Sequence, residues 1–152
     1  MDNLELSLRC EQNFSCVFST QHSFATKPRI LAADDDEDNL LLLAYILEPL
    51  GCNLITAVDG LSALSMARTY QPDLILLDVL MPYMDGIEVV SQLRKDSKIK
   101  TTPAIAVTAL AVRDDRERLL KAGFNDYISK PYMLEDIEAT VRRHLRLPVT
   151  IS

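Results

Sequence analysis

The sequence predicts an α/β protein with a doubly wound parallel sheet that carries helices on both faces. From Arg29 onward, short apolar stretches alternate five times with segments of helical periodicity. The apolar stretches do not alternate with polar residues, which is typical of strands that are buried on both faces. Repeated strand–helix–strand units also make the crossover connections that produce a parallel sheet.

Each of the five predicted strands is short and is followed by a longer helical segment. The strands cover residues 29–33, 53–57, 72–78, 103–108 and 125–129, and the helices cover residues 35–51, 59–70, 85–95, 112–123 and 133–146. Gly51 and Gly123 are expected to end the first and fourth helices, because glycine readily adopts the left-handed conformation of a C-terminal cap. Pro49 should kink or end the first helix, since proline has no amide hydrogen to donate.

Composition limits the classes of function. The chain has 152 residues, 48% of them hydrophobic and 25% charged, which is typical of one globular domain. The net charge of -6 argues against nonspecific binding to nucleic acid or anionic lipid, but it is compatible with metal ions and cationic partners. The three cysteines form no CxxC pair, so a disulfide framework or a zinc site is not expected.

The predicted domain is preceded by residues 1–27, which lack the regular alternation of strand and helix patterns. Their alternating leucines and phenylalanines indicate strand-like pairing, whereas their serines and threonines favour a poorly ordered tail, and both interpretations stay open. No stretch is long and apolar enough for a membrane span, and the N-terminus lacks the features of a signal peptide. A cytoplasmic protein is therefore expected. At the other end of the domain, residues 148–152 are predicted to be a short C-terminal tail.

Polar side chains follow four of the five predicted strands. Asp34 and Asp35 follow the first strand, and Asp78 ends the third. Thr108 ends the fourth strand, and Lys130 follows the fifth. Ligands of such sheets bind beyond the carboxyl ends of the strands, where the strand order reverses. We therefore expect these side chains to share one edge of the sheet.

Most of these residues also have an ordinary structural explanation. The acids at 34–38 could cap the first helix, Thr108 could cap the fourth, and Lys130 alone would be a solvated surface lysine. Asp78 is harder to explain, because an ionised carboxylate at the end of a wholly apolar strand needs a compensating charge. The joint pattern therefore favours a functional site.

The chemistry of this set points to a metal ion and a phosphoryl group. Carboxylates that lie close together repel one another, so one must bind a proton or a cation must bind between them. Mg²⁺ prefers oxygen ligands and is often held by one or two carboxylates together with phosphate oxygens. An ammonium and a hydroxyl suit the phosphoryl oxygens, and aspartate is an established nucleophile for phosphoryl transfer.

Four segments, ADDDEDN, LILLDVLMPYMDG, AVTA and DYISKP, resemble the receiver domain of two-component response regulators over residues 28–147. The resemblance implies a flavodoxin-like (βα)5 fold with the strand order 2-1-3-4-5. It also implies that Asp78 accepts a phosphoryl group from a phosphohistidine on a sensor histidine kinase or phosphotransfer protein. The cofactor would be Mg²⁺, with Mn²⁺ as an alternative, bound by Asp35, Asp78 and the backbone carbonyl of Leu80. Asp34 would help through a water molecule.

The resemblance also assigns a switch. Thr108 and Lys130 would contact the phosphoryl oxygens, and Tyr127 matches the aromatic residue that moves together with the threonine in this family. The surface of the fourth helix, fifth strand and fifth helix would then change and regulate an output protein that the sequence does not identify. From the residues alone, the favoured explanation of Tyr127 is a half-buried strand residue with a solvated hydroxyl. The Lys130-Pro131 peptide is expected to be cis, as in the family.

Three interpretations remain for the activity. The chain is expected to be a stand-alone receiver that binds another protein or relays phosphate, and a homodimer through the switch surface stays open. A pseudo-receiver that is never phosphorylated is the first alternative. The second is an aspartyl-phosphate phosphatase, although such enzymes carry a second aspartate two residues after the nucleophile, where this chain has Leu80. We expect no dedicated substrate turnover, and neither nucleic acid nor a membrane as a direct partner.

Overall fold

The computed structural model describes residues 27–109 and 113–145, which form a five-stranded parallel sheet with helices on both faces. The strands are β1 (Arg29–Ala33), β2 (Asn53–Ala57), β3 (Leu74–Leu77), β4 (Ala104–Thr108) and β5 (Asp126–Ser129). The helices are α1 (Glu37–Leu47), α2 (Gly60–Tyr70), α3 (Gly86–Leu93), α4 (Arg113–Ala122) and α5 (Leu134–Leu145). The strand order β2-β1-β3-β4-β5 confirms the predicted order 2-1-3-4-5. The predictions for residues 1–26 and 148–152 concern parts of the chain outside the described ranges.

The sheet is the centre of two hydrophobic cores, one on each face. Successive residues of β3 point to opposite faces, so Leu74 and Leu76 pack with α1 and α5, whereas Ile75 and Leu77 pack with α2 and α3. All four side chains of β3 are fully buried. This explains why the predicted strands read as unbroken apolar stretches, with no polar face.

Three helices begin later than the sequence predicts, because an aspartate lies at the cap position and not within the helix. The side chains of Asp36, Asp59 and Asp85 accept hydrogen bonds from the first-turn backbone amides of α1, α2 and α3. At the other end of α1, the helix stops at Leu47 and continues as a 3₁₀ turn, Glu48–Leu50, that contains Pro49. Gly51 then adopts a left-handed φ of 75°, as expected for the cap.

The described helices include none that is both long and apolar enough to cross a bilayer. The longest, α5, has 12 residues and carries charged side chains in its first and last turns.

The register of the sheet aligns the carboxyl ends of the strands at one edge. Ala33 of β1 pairs with Ala57 of β2 and with Leu77 of β3. Backbone hydrogen bonds continue beyond the ladders, from the Asp34 amide to the Ala57 carbonyl at 3.1 Å and from the Asp78 amide to the Ala33 carbonyl at 2.9 Å. The first residues after β1 and β3 are therefore held by the sheet itself, which fixes where their side chains emerge.

The opposite edge is held together by Arg94, which follows α3. Its partly buried guanidinium donates to the carbonyls of Gly123, Lys100 and Thr102 at 2.9, 3.0 and 2.7 Å, and to the side-chain oxygen of Asn125 at 2.8 Å. Burial lowers the pKa of this guanidinium relative to that of a free arginine. Arg94 thus connects the loops that precede β4 and β5, and it fixes the amino-terminal ends of both strands.

Candidate functional site

One ammonium group joins two buried carboxylates at the carboxyl edge of the sheet. The Lys130 Nζ donates to Oδ2 of Asp34 at 2.8 Å and to Oδ2 of Asp78 at 3.0 Å. Asp34 and Asp78 are only 3% and 7% exposed, so little water reaches either carboxylate. Lys130 supplies the compensating charge that the position of Asp78 requires.

The pKa values show that this compensation is incomplete. Burial raises the pKa of Asp78, and the nearby Asp34 adds to the rise, although the hydrogen bond and the charge of Lys130 oppose it. Burial alone would lower the pKa of Lys130, but its hydrogen bonds to Asp34 and Asp78, together with the negative charges of both carboxylates, outweigh burial and raise it. Lys130 is therefore firmly protonated, while Asp78 holds its negative charge less readily than an ordinary aspartate does.

A third carboxylate completes a set of oxygen donors. One carboxylate oxygen from each of Asp34, Asp35 and Asp78 lies within 4.8 Å of the others. Both oxygens of Asp34 already accept hydrogen bonds, Oδ1 from the Asp36 amide at 2.9 Å and Oδ2 from the Asn39 side chain at 3.2 Å and from Lys130. Asp35 is exposed, and within residues 27–109 and 113–145 its carboxylate accepts no hydrogen bond.

This donor set fits a hard divalent cation. All three side chains offer oxygen, the ligand atom that Mg²⁺ and Mn²⁺ prefer, and one ammonium cannot neutralise three carboxylates. Among the three acids, Asp35 is the one with open carboxylate oxygens, and Asp78 has only part of its hydrogen-bonding capacity used. The three carboxylates thus keep negative charge that a cation could neutralise.

The acceptor loop, residues 78–85, connects β3 to α3 and is fixed by short-range contacts. The Leu80 amide donates to Oδ1 of Asp78 at 3.1 Å, and the Gly86 amide donates to the Val79 carbonyl at 2.8 Å. A Cβ atom at Gly86 would lie 2.5 Å from the Asp78 carbonyl oxygen, so only glycine allows α3 to begin this close to the loop. Asp85 and Glu88 form a reciprocal capping box at the start of α3. The Leu80 side chain is 55% exposed, and its carbonyl as a metal ligand remains a prediction.

Thr108 and Tyr127 lie on the neighbouring strands β4 and β5. Thr108 is fully buried at the end of β4, and its carbonyl accepts the Lys130 amide at 2.8 Å. Tyr127 is half-buried and packs against the core on the α2–α4 side, with the guanidinium of Arg116 5.9 Å from the centre of its ring. The Lys130-Pro131 peptide is cis, as expected. Lys130 thus lies beside the two buried carboxylates and Thr108 lies at the end of the adjoining strand, whereas their roles toward a phosphoryl group and the movement of Tyr127 remain predictions.

Sequence reasoning missed Asn39 and Arg116. Asn39 hydrogen-bonds to Asp34 and Arg116 lies over Tyr127, yet each occupies an ordinary polar position on a helix. The i, i+5 spacing of Asp34 and Asn39 crosses a helix cap, so no simple periodicity indicates their contact. Arg116 contacts a strand that follows α4 after a glycine turn, and only the packing of α4 on the sheet brings the two side chains together.

The state of Asp78 yields a stability prediction in buffer without divalent cations. Because its pKa is raised in the folded protein, the folded state binds the Asp78 proton more tightly than the unfolded state. Stability is therefore lost as the pH rises from the ordinary aspartate value of about 4 through the raised value. Asp78→Asn should raise the Tm at pH 7 in EDTA, and this gain should shrink toward zero below about pH 4.

The control for this prediction is Asp73→Asn, since Asp73 lies at the opposite edge of the sheet and its carboxylate accepts the Arg29 amide. It should show no gain at pH 7. A Tm of Asp78→Asn that equals or falls below the wild-type value at pH 7 would contradict the electrostatic description of this site.

Comparisons with known proteins agree with the fold. A family model of the response regulator receiver domain matches residues 30–142. The polar-differentiation response regulator DivK of Brucella anthropi is 37% identical over 116 residues, which cover 76% of this chain and 94% of DivK. The sensor histidine kinase CheAY of Helicobacter pylori is 39% identical over 120 residues, but the chain spans only 15% of that kinase.

Solved structures give the same result. The receiver domain of the sensor histidine kinase PA1611 from Pseudomonas aeruginosa PAO1, which has a magnesium ion coordinated in its active site cleft, superposes with a TM-score of 0.74 at 30% identity. That comparison covers 80% of this chain and 99% of the other. The chemotaxis protein CheY4 of Vibrio cholerae gives a TM-score of 0.75 at 30% identity over 79% of this chain and all of CheY4. The chain belongs to the response regulator receiver domain family of two-component signalling.

Proposed function

We propose that this receiver domain is a phosphorylatable signalling switch and that Asp78 is the residue that is phosphorylated. The donor would be a phosphohistidine on a sensor histidine kinase or phosphotransfer protein. The observation that carries the proposal is the sharing of one ammonium, that of Lys130, between Asp34 and Asp78, next to the open carboxylate of Asp35. This arrangement leaves negative charge for a cation and a lysine for a phosphoryl group. The cytoplasmic location expected from the sequence is part of the same proposal.

In the proposed transfer, a carboxylate oxygen of Asp78 attacks the phosphorus atom of the donor. A P–O bond forms, the P–N bond to the imidazole breaks, and its electron pair leaves with the imidazole, which takes up a proton from water. Lys130 favours the ionised, nucleophilic form of Asp78 against the effect of burial. After transfer, the Lys130 ammonium and the Thr108 hydroxyl would donate charge-assisted hydrogen bonds to the phosphoryl oxygens.

The metal ligands in this proposal are Asp35, Asp78 and the carbonyl of Leu80, with Asp34 acting through a water molecule. The hydrogen bonds that already occupy both oxygens of Asp34 support its indirect role. Bound Mg²⁺, or Mn²⁺ in its place, would neutralise charge on the transferred phosphoryl group. The contacts of the acceptor loop at Leu80 and Gly86 would hold Asp78 and the Leu80 carbonyl in fixed relative positions.

The switch would be driven by the charge of the phosphoryl group. Phosphorylation adds nearly two negative charges and three acceptor oxygens, which compete with Asp34 for the Lys130 ammonium and attract the Thr108 hydroxyl. Tyr127 lies three residues before Lys130 on β5, so a change at Thr108 and Lys130 can reach its ring and the contact with Arg116. Moving such a surface from mostly inactive to mostly active takes about 5.5 kcal/mol of differential interaction.

The surface that would change is formed by α4, β5 and α5. A cavity of about 560 Å³ lies on this surface, and Arg116, Tyr127, Asp136 and Arg143 are among its lining residues. Because its lining carries both positive and negative side chains, it could bind an output protein or a second copy of the chain. The cavity lies away from Asp78, so it is a candidate for the output side and not for phosphoryl transfer.

The direct test is phosphorylation of the intact chain by acetyl phosphate in the presence of Mg²⁺. The intact mass should increase by one phosphoryl group in the wild type and in Asp59→Asn, but not in Asp78→Asn. Asp59→Asn is a matched control, because asparagine retains the cap of α2 at the same edge of the sheet. No mass increase in the wild type with acetyl phosphate or with a panel of phosphorylated histidine kinases would refute the switch and favour the pseudo-receiver.

A second test addresses the metal site. Mg²⁺ should raise the Tm of the wild type, because it binds the folded state and relieves repulsion among the carboxylates. Asp35→Asn should lose most of this rise, whereas Asp38→Asn, a change of the same size at an exposed position of α1, should retain it. If Asp35→Asn responded to Mg²⁺ as fully as the wild type, Asp35 would not be a metal ligand.

A further inference from the structure

Gly60, the first residue of α2, touches the acceptor loop although it lies on a different βα unit. A Cβ atom at Gly60 would lie 2.0 Å from the Met84 carbonyl oxygen and 2.8 Å from the Met84 carbonyl carbon. Both atoms belong to backbone, so neither can rotate away as the end of a side chain could. Gly60 is buried, which means that the added atom would also have no route into solvent. Glycine is thus the residue that lets α2 pack against the end of the acceptor loop.

The conformation of Gly60 itself does not explain this choice of residue. Its φ is not among the positive values, so alanine would fit the backbone of the helix. Within helices glycine is less favourable than alanine by up to about 1 kcal/mol. The start of α2 is already capped by Asp59, whose side chain accepts the Ser62 amide at 2.7 Å. The close approach of the Met84 carbonyl is the remaining reason for glycine at this position.

We infer that Gly60 is a positioning residue for the metal site, because its contact with Met84 holds the acceptor loop in the conformation that binds Mg²⁺. This inference rests on the proposed function. The loop is short and is held at Gly86, which contacts the Asp78 carbonyl, and at Gly60, which contacts the Met84 carbonyl. Leu80 lies between these two contacts, and the Met84 amide donates to the Pro82 carbonyl at 2.8 Å. A displacement of Met84 is therefore transmitted along the loop toward Leu80 and Asp78.

The test compares Mg²⁺ binding by two glycine variants of the full chain, measured by isothermal titration calorimetry without a phosphodonor. In Gly60→Ala, the Met84 carbonyl must move, and the dissociation constant for Mg²⁺ should rise by about 10-fold or more, as when outer-shell residues of metal sites are changed. The control is Gly51→Ala, where φ is 75° and no atom lies within 4 Å of the added Cβ. That variant is strained and less stable, but Gly51 precedes β2 at the opposite edge, so its Mg²⁺ affinity should equal that of the wild type.

A measurement on the wild type covers the case in which Gly60→Ala does not fold. The chain has only four glycines, so selective ¹⁵N-glycine labelling gives a spectrum of four backbone resonances. During a Mg²⁺ titration, the Gly60 and Gly86 resonances should shift with one common dissociation constant. Gly51 and Gly123 precede strands at the other edge, and their resonances should stay in place. A Gly60 resonance that stays in place while that of Gly86 shifts would overturn the inference.

The outcomes separate this inference from the proposed function. A Gly60→Ala variant could be less stable and yet bind Mg²⁺ as tightly as the wild type. This result would show a purely structural role for Gly60, and it would overturn the inference but not the proposed function. If the wild type bound Mg²⁺ and Gly60→Ala bound it more weakly, but neither could be phosphorylated, the switch would fail and the inference would stand. A wild type that binds no Mg²⁺ would overturn both.

Discussion

The shared ammonium of Lys130 is the interaction on which the site depends. Two carboxylates as buried as Asp34 and Asp78 would each cost several kcal/mol without a partner, and their repulsion would add to this cost. Hydrogen bonds beyond the ladders fix the backbone of both acids, which keeps the two residues side by side at the edge of the sheet. Lys130 follows β5, at the far side of the sheet from β1, and its long side chain crosses the edge to reach both. The resting site is therefore held together, but it keeps excess negative charge.

The proposed switch would use that excess negative charge. A cation between Asp35 and Asp78 would relieve the repulsion that Lys130 only partly offsets, and a phosphoryl group would then offer the ammonium a stronger partner than Asp34. Each change alters the contacts of Lys130, which is joined to β4 through the Thr108 carbonyl and to Tyr127 through three residues of β5. Only a few covalent and hydrogen bonds therefore separate the charged site from the surface of α4, β5 and α5. The acceptor loop, held by Gly60 and Gly86, provides the rigid side against which such changes can act.

The strands and the buried position of Asp78 could be predicted from sequence, because strands that are buried on both faces form unbroken apolar stretches. The phosphoacceptor role of Asp78 comes from the family resemblance and stays a prediction. Asp78 stood out as a charge at the end of a wholly apolar strand, and the structure places it beside Lys130. Helix starts were less accurate, because whether Asp36 or Asp59 is a cap or a helical residue depends on one hydrogen bond. The contacts of Asn39, Gly60 and Arg116 could not be predicted, since Asn39 reaches Asp34 across a helix cap and the other two contacts depend on how separate elements pack. The strand order came from the family resemblance and not from the periodicity.

In the proposed site, the Lys130 ammonium and a divalent cation compensate the same carboxylates. Calorimetric titration of Lys130→Met with Mg²⁺ tests this claim most directly, because methionine keeps much of the length of the side chain and removes its charge. Without the competing positive charge, the variant should bind Mg²⁺ more tightly than the wild type, since repulsion between the ammonium and the cation is gone. Mg²⁺ affinity that is unchanged or weaker in Lys130→Met would contradict the account.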